Sequence, residues 1–258
     1  MSLVLQLIWG WLYTYINHHR GISLKTAGPD HYQFLIDIGH SSLTHIDGYV
    51  NTLPPERIPG VRFSEGLNAL GIAVGHLMLD QVEDARSWFR KTSEYFFEAN
   101  RQYDTVMAER RTLECALFCG DKGFRIQVAQ KIQSREGQIK PMEHSYVMFL
   151  KHMILNEQTE AFAYADESMW LSRATMKKRG SYGTLQETCK ALACRPLDEF
   201  VTTLEALLKE HKMKASHGYT KQPDGILCFP GAALLILARE QGLLVNVTSP
   251  FIPVALLD

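Results

Sequence analysis

Residues 67–96, LNALGIAVGHLMLDQVEDARSWFRKTSEYF, contain the pattern that decides the fold. Two apolar runs with helical spacing flank a polar turn at Asp80, which is typical of a helical hairpin. The first run carries four small residues, Ala69, Gly71, Ala73 and Gly75. Because the distance between packed helices depends on the side chains at the contact, we expect this helix to approach a neighbour closely.

Similar junctions recur along the chain. The sequences LFCGDKGF, MILNEQTEA and LACRPLDEF each place a polar or glycine-containing turn between apolar helical runs. They recur about every 36 to 41 residues, within the range of helical-hairpin repeats. The pattern resembles a tetratricopeptide unit, but the small-then-large pair Ala85 and Phe89 is offset from Leu70-Gly71 relative to the strict repeat. The sequence therefore predicts an all-α fold: stacked antiparallel helical hairpins in a repeat-like (tetratricopeptide-like) array, with a short extended C-terminal cap.

Helical periodicity predicts helices at residues 31–50, 63–79, 82–100, 103–119, 123–134, 142–155, 158–173, 184–193, 196–213 and 229–241. Prolines and glycines separate them, including Pro59 and Gly60 before the first pair. The chain has 258 residues, of which 46% are apolar, so it can bury a sizeable core. Since no loop is long enough for a flexible linker, we predict one domain over 1–258. It comprises N-terminal helices 1–60, a hairpin array 61–215, and a capping helix and tail 216–258.

The N-terminal segment, residues 1–17, is apolar on most of its helical surface. It has no basic region or cleavage site of a signal peptide, and it is shorter than the roughly 20 apolar residues of a spanning helix. We expect a mostly buried helix and no stable membrane insertion. An interfacial membrane helix is the alternative, although such helices usually carry Lys or Arg on the polar face and the first basic residue here is Arg20.

Charge and cysteine content indicate a cytoplasmic protein in which any charged partner is recognised by a local patch. The formal net charge is -1, so no global field attracts nucleic acid or an anionic membrane. We therefore expect no nucleic-acid partner. The odd set of cysteines, Cys115, Cys119, Cys189, Cys194 and Cys228, occurs in a chain too large to need disulfides, and we expect buried, inert thiols.

Candidate catalytic groups are few. Asp37 and His40 lie three residues apart and would share a helix face, as ligands do in carboxylate metal bundles, but no second such pair is present. His40, His45 and His76 could converge in space, although structural histidines are the favoured interpretation. The chain also lacks the common nucleophile, phosphate-binding and zinc motifs. We therefore expect no enzyme activity, metal or cofactor, with a helical metal enzyme using Asp37 and His40 as an alternative.

The α-helical junction at Asp80, Glu83 and Asp84 is the candidate binding surface. Acidic residues suit the N-terminal end of a helix dipole, and that role could account for them. Recognition of a basic partner is the second interpretation.

The C-terminal stretch DGILCFPGAALLILAREQGLLVNVTSPFIPVALLD resembles the immunity protein 49 family of bacterial polymorphic-toxin systems. The matching residues are Phe229, Pro230, Ala232, Ala233, Leu234, Ala238, Arg239, Gly242, Pro253 and Leu256-Leu257. The resemblance covers about the last 35 residues. It implies a cytoplasmic protein that binds and occludes a toxin, often a nuclease, without chemistry of its own. A helical-repeat scaffold that binds a peptide is the main alternative.

Overall fold

The computed structural model describes residues 27–48, 50–100, 106–133, 141–166, 170, 175, 182–194, 196–216 and 221–257. It contains helices α1 (Pro29–Asp47), α2 (Ile58–Met78), α3 (Val82–Asn100), α4 (Val106–Phe118), α5 (Lys122–Lys131), α6 (Pro141–Ile154), α7 (Gln158–Asp166), α8 (Leu185–Cys194), α9 (Leu197–Lys214), α10 (Pro223–Ile226) and α11 (Phe229–Glu240). Short 3-10 turns occupy Val50–Thr52, Pro55–Arg57 and Val254–Leu256. These ranges contain no strand, and only one isolated bridge joins Ser249 to Ile252. The all-α prediction is confirmed.

Three details differ from the sequence-based expectation. Helix α2 begins at Ile58, so Pro59 and Gly60 belong to its first turn and do not precede it; proline is tolerated there because the first helical N–H groups have no partner within the helix. The helix expected at 158–173 is interrupted, because Trp170 lies in a bend. The one-turn helix α10 was missed, since four residues are too few to show a period. The N-terminal segment 1–17 lies outside the described residues.

Neighbouring helices in the chain pack against each other. Helix α2 packs between α1 and α3, and α3 in turn packs on α4. In the second half α7 packs between α6 and α8, and α8 packs on α9. The small residues of α2 have the expected effect at Gly75, where an added Cβ would lie 2.7 Å from the Tyr32 carbonyl oxygen of α1. The close approach of α1 and α2 is therefore confirmed at this position.

Helix α11 is the most enclosed of these elements, and it contacts α4, α8 and α9. Every residue from Phe229 to Ala238 is buried, as expected for a helix that is apolar all round. The tail that follows returns along it. The Cys228 N–H donates to the Phe251 carbonyl at 2.9 Å, and Arg239 donates to the Leu257 carbonyl at 3.2 Å. The tail thus contacts α11 at both ends, at the residue that precedes the helix and in its last turn.

No helix within these described ranges has both the length and the apolar character needed to cross a bilayer.

Candidate functional site

The α2–α3 junction carries the three acidic residues expected to contact a partner. Helix α2 ends in a Schellman motif, in which Gln81 N–H donates to the His76 carbonyl at 2.9 Å. The Asp80 N–H donates to the Leu77 carbonyl at 3.1 Å. Asp80 itself has a φ of 62°, a left-handed conformation that Asp and Asn adopt more readily than most residues. The Asp80 carboxylate therefore belongs to the residue that terminates α2.

All three carboxylates are exposed at this junction. Glu83 and Asp84 lie in the first turn of α3, where the positive end of the helix dipole favours negative charge. The Glu83 side chain is 87% exposed and lies 3.2 Å from Arg86. Because exposed ion pairs of this kind contribute about 0 to 1 kcal/mol, this pair would give way readily to a partner.

A hollow of about 360 Å³ lies between the α2–α3 and α4–α5 junctions. It is lined by Glu83, Arg86, Ser87, Arg90, Cys119, Gly120 and Asp121. Arg90, in the third turn of α3, connects this helix to the second junction, with its guanidinium 2.8 Å from Asp121. Asp121 also accepts the Phe124 N–H at 2.9 Å, and this bond, together with Arg90, lowers the pKa of Asp121. The hollow is therefore lined by both acidic and basic side chains.

The residues considered as metal ligands lie on exposed or aromatic surfaces. Asp37 accepts a hydrogen bond from Gln33 Nε2 at 2.8 Å, and the His40 ring packs edge-on against Trp88 at 5.0 Å. His76 Nδ1 lies 2.5 Å from Gln81 Oε1. Over the part of the chain that the structure describes, no three His, Cys, Asp or Glu residues form a group that could hold a metal ion. The pair of Asp37 and His40 therefore lacks further ligands among these residues.

Four of the five cysteines are buried and Cys194 is exposed. Burial raises the pKa of the Cys228 thiol to about 12 and raises the pKa values of Cys115 and Cys189. These thiols stay protonated and unreactive at neutral pH. The prediction of buried thiols was wrong for Cys194, because this residue ends α8 on its exposed side.

A cluster of buried polar groups, missed in the sequence, joins α9 to the residues that precede α8. The Tyr182 hydroxyl lies 2.8 Å from His211 Nδ1, and the Thr184 hydroxyl donates to Glu210 at 3.3 Å. Lys214 Nζ lies 3.6 Å from the centre of the Tyr182 ring. In the sequence, Glu210 and His211 are indistinguishable from the solvated charges around them on the same helix, so no local signal could have found this cluster.

Burial determines the protonation of this cluster. It lowers the pKa of His211 to about 4 and that of Lys214 to about 8, and it raises the pKa of the Tyr182 phenol. At neutral pH His211 is therefore uncharged, and the Tyr182 hydroxyl keeps the proton that it can donate to Nδ1. The cluster holds α9 in place through a neutral hydrogen bond.

Arg111 on α4 forms a second buried polar centre, also missed in the sequence. Its side chain is 3% exposed, and Nη1 lies 2.6 Å from Glu114. Nη2 pairs with Asp224, and the guanidinium lies 3.9 Å from the centre of the Phe229 ring. Glu114 also accepts the Tyr146 hydroxyl at 3.3 Å. One cation thus connects α4 to α10 and α11, and through its partner Glu114 to α6.

Comparison with known proteins places the chain in a family. The family model described as Immunity protein 49 matches residues 125–256, about half of the chain. The match includes the C-terminal stretch that carries the sequence resemblance, and it extends upstream to α5. No curated protein and no solved structure matches. The chain belongs to the immunity protein 49 family.

Proposed function

We propose that the chain binds and neutralises a bacterial toxin by stoichiometric contact, without chemistry of its own. Membership of the Immunity protein 49 family over residues 125–256 carries this proposal. The family resemblance implies a cytoplasmic binder, and it implies that the toxin is often a nuclease. A nuclease has a basic substrate cleft, so its inhibitor gains association rate and specificity from exposed acidic groups.

The proposed contact residues are Asp80, Glu83 and Asp84. Comparison with the α6–α7 junction supports the proposal that these three residues do more than stabilise the ends of α2 and α3. Asn156 has a φ of 60°, and the Glu157 N–H donates to the His152 carbonyl at 2.8 Å, so α6 ends in the same motif as α2. Asn156 stands where the first junction has Asp80. A carboxylate is therefore not needed for this turn, which leaves the charge of Asp80 available for recognition.

A repeat-like array is part of the same proposal, and the helix bounds support it. Helices α2 and α6 end at Met78 and Ile154, and α3 and α7 begin at Val82 and Gln158. Helices α4 and α8 end at Phe118 and Cys194. Each pair of bounds differs by 76 residues, so α2–α5 and α6–α9 have corresponding helices in the same order. Thr159 of the second unit then corresponds to Glu83.

The test uses a candidate toxin domain chosen from the genes adjacent to that of this chain, which we call the neighbouring toxin domain. The variant D80N/E83T introduces Asn156 and Thr159 of the second junction into the first, so the turn geometry is respected. We expect D80N/E83T to weaken binding to an inactivated neighbouring toxin domain, and more so at low salt than at high salt, because salt screens exposed charges. Titration calorimetry at two salt concentrations measures both effects.

The control is E56T/E187Q, which removes two exposed acids at other helix starts. It should leave the affinity unchanged. If the wild-type chain neither binds the neighbouring toxin domain nor protects cells that co-express the active domain, the proposed function is wrong. Binding by the wild-type chain with no effect of D80N/E83T would place the interface elsewhere.

A further inference from the structure

We infer that the partner surface extends from the acidic junction over the end of the molecule at which α2, α4, α6, α8 and α11 terminate. We call this surface the junction end. It fits a folded protein that presents an apolar patch surrounded by basic residues. The inference rests on the proposed function, since the partner it describes is the toxin.

Ion pairs join the first helix termini of the junction end. Arg90 of α3 lies 2.8 Å from Asp121, which directly precedes α5. Arg125 in the first turns of α5 lies 2.5 Å from Glu240, the last residue of α11. Glu83 of the first junction and Gly120 of the second also line one hollow. The termini of α2, α4 and α11 are therefore neighbours, although α11 is far from the other two in sequence.

Amide side chains continue the same surface. Gln241, directly after α11, donates to Gln158 Oε1 at 3.3 Å. Gln158 begins α7, and its own Nε2 donates to the Ala193 carbonyl in the last turn of α8 at 2.7 Å. These contacts bring the α6–α7 junction between the end of α11 and the end of α8. Four helix junctions and the end of α11 thus share one end of the molecule.

Exposed apolar side chains concentrate at this end. Ile126 and Phe162 lie in the first turns of α5 and α7 and are 39% and 37% exposed. Leu197, the first residue of α9, is 38% exposed, and Leu244, two residues after Gly242, is 88% exposed. Single exposed apolar residues are common on protein surfaces and need no explanation. These four lie close in sequence to the linked termini of one molecular end, so a partner that covers the junction end would bury them.

The charge distribution identifies the partner. Exposed carboxylates lie at each of the four junctions: Asp80, Glu83 and Asp84 at the first, Asp121 at the second, Glu157 at the third, and Asp198 and Glu199 at the fourth. Protein interfaces combine an apolar core with a polar and charged periphery. Exposed apolar side chains with carboxylates among them are complementary to an apolar patch surrounded by basic residues, such as the border of a nuclease cleft.

The test compares two double substitutions that remove equal numbers of exposed apolar side chains. L197Q/L244Q alters the junction end, and M107Q/M213Q alters the opposite ends of α4 and α9, where Met107 and Met213 are 38% and 50% exposed. We expect L197Q/L244Q to raise the Kd for the inactivated neighbouring toxin domain about tenfold or more. M107Q/M213Q should bind as the wild type does. Thermal unfolding of each variant verifies that it is folded, and L244Q alone serves if the double variant is not.

The outcomes separate this inference from the proposed function. Wild-type binding with equal affinities for both double variants overturns the junction end as the interface but leaves the proposed function standing. No binding by the wild-type chain overturns both. Loss of affinity confined to the junction-end variants supports the inference.

Discussion

His211 is enclosed by two aromatic rings. Tyr182 stacks on it with ring centres 6.0 Å apart, and Phe251 of the tail packs edge-on at 4.6 Å. The residue is 1% exposed, and this burial lowers the pKa of His211 to about 4. Asp224 opposes the shift and Lys214 reinforces it. A histidine held neutral in this way links the stability of α9 and the tail to pH.

The pH dependence follows from the sign of this shift. The folded-state pKa lies below the value of about 6.5 in the unfolded chain, so the unfolded state binds more protons as the pH falls through this range. The unfolding free energy should decrease by about 2 kcal/mol between pH 7.5 and pH 5 because of His211. Urea unfolding at the two pH values measures the decrease. The variant H211Q should lose that part of the pH dependence, and an identical pH dependence in H211Q and the wild type would contradict the assignment.

Helix ends depend on a few residues with left-handed backbone conformation. Asp80, Gly120, Asn156 and Gly242 all have positive φ values, and each lies two residues after the last residue of a helix. The two junctions that use a residue with a side chain share a further contact. His76 Nδ1 lies 2.5 Å from Gln81 Oε1, and His152 Nδ1 lies 2.6 Å from Glu157 Oε2. Each histidine thus contacts the residue that directly precedes the next helix.

Substitution of Asp80 tests the helix end independently of binding. A left-handed residue with a Cβ costs about 1 to 2 kcal/mol relative to the right-handed region, and Gly avoids this cost. We expect D80A to lower the unfolding free energy by about 1 kcal/mol, since Ala keeps the Cβ but loses the local hydrogen bonding of Asp. D80G should match or exceed the wild-type stability in urea. Equal stability of D80A and D80G would show that backbone strain at this position is unimportant.

The buried guanidinium of Arg111 connects the N-terminal half of the molecule to the C-terminal half. Arg111 lies outside the family match, whereas its contacts Asp224 and Phe229 lie within it. Its partner on α4, Glu114, is fully buried. Removing one member of a buried pair leaves the other charge without compensation, which costs much more than the net contribution of the intact pair.

Arg111 substitutions test this connection across the whole molecule. R111M should lower the unfolding free energy by about 3 to 5 kcal/mol, because Glu114 is left buried without its main partner. The double variant R111M/E114L should be more stable than R111M, since both charges are then replaced by apolar groups. D224N should cost about 1 kcal/mol or less, because the Asp224 side chain is 52% exposed. Equal losses in R111M and R111M/E114L would contradict a buried ion pair.

Sequence patterns were sufficient to locate most helices. Predicted and observed bounds of α3 agree at Val82 and Asn100, and those of α9 and α11 differ by one residue. Helical periodicity and turn residues are local properties of the chain, so they can be read without knowledge of packing. The acidic residues of the α2–α3 junction and the family resemblance could also be recognised from the local sequence.

Which charged side chains are buried could be determined only from the tertiary structure. Arg111 and Asp224 are 113 residues apart, and nothing around either residue indicates that they meet. Whether a charged side chain on an amphipathic helix is solvated or enclosed depends on which distant segment packs over it. The adjacency of the junctions has the same origin, because the contacts of Arg125 with Glu240 and of Gln158 with Gln241 join residues distant in sequence. Local sequence therefore determined the helices and their ends, whereas packing between distant helices determined which polar groups are buried and which termini form one surface.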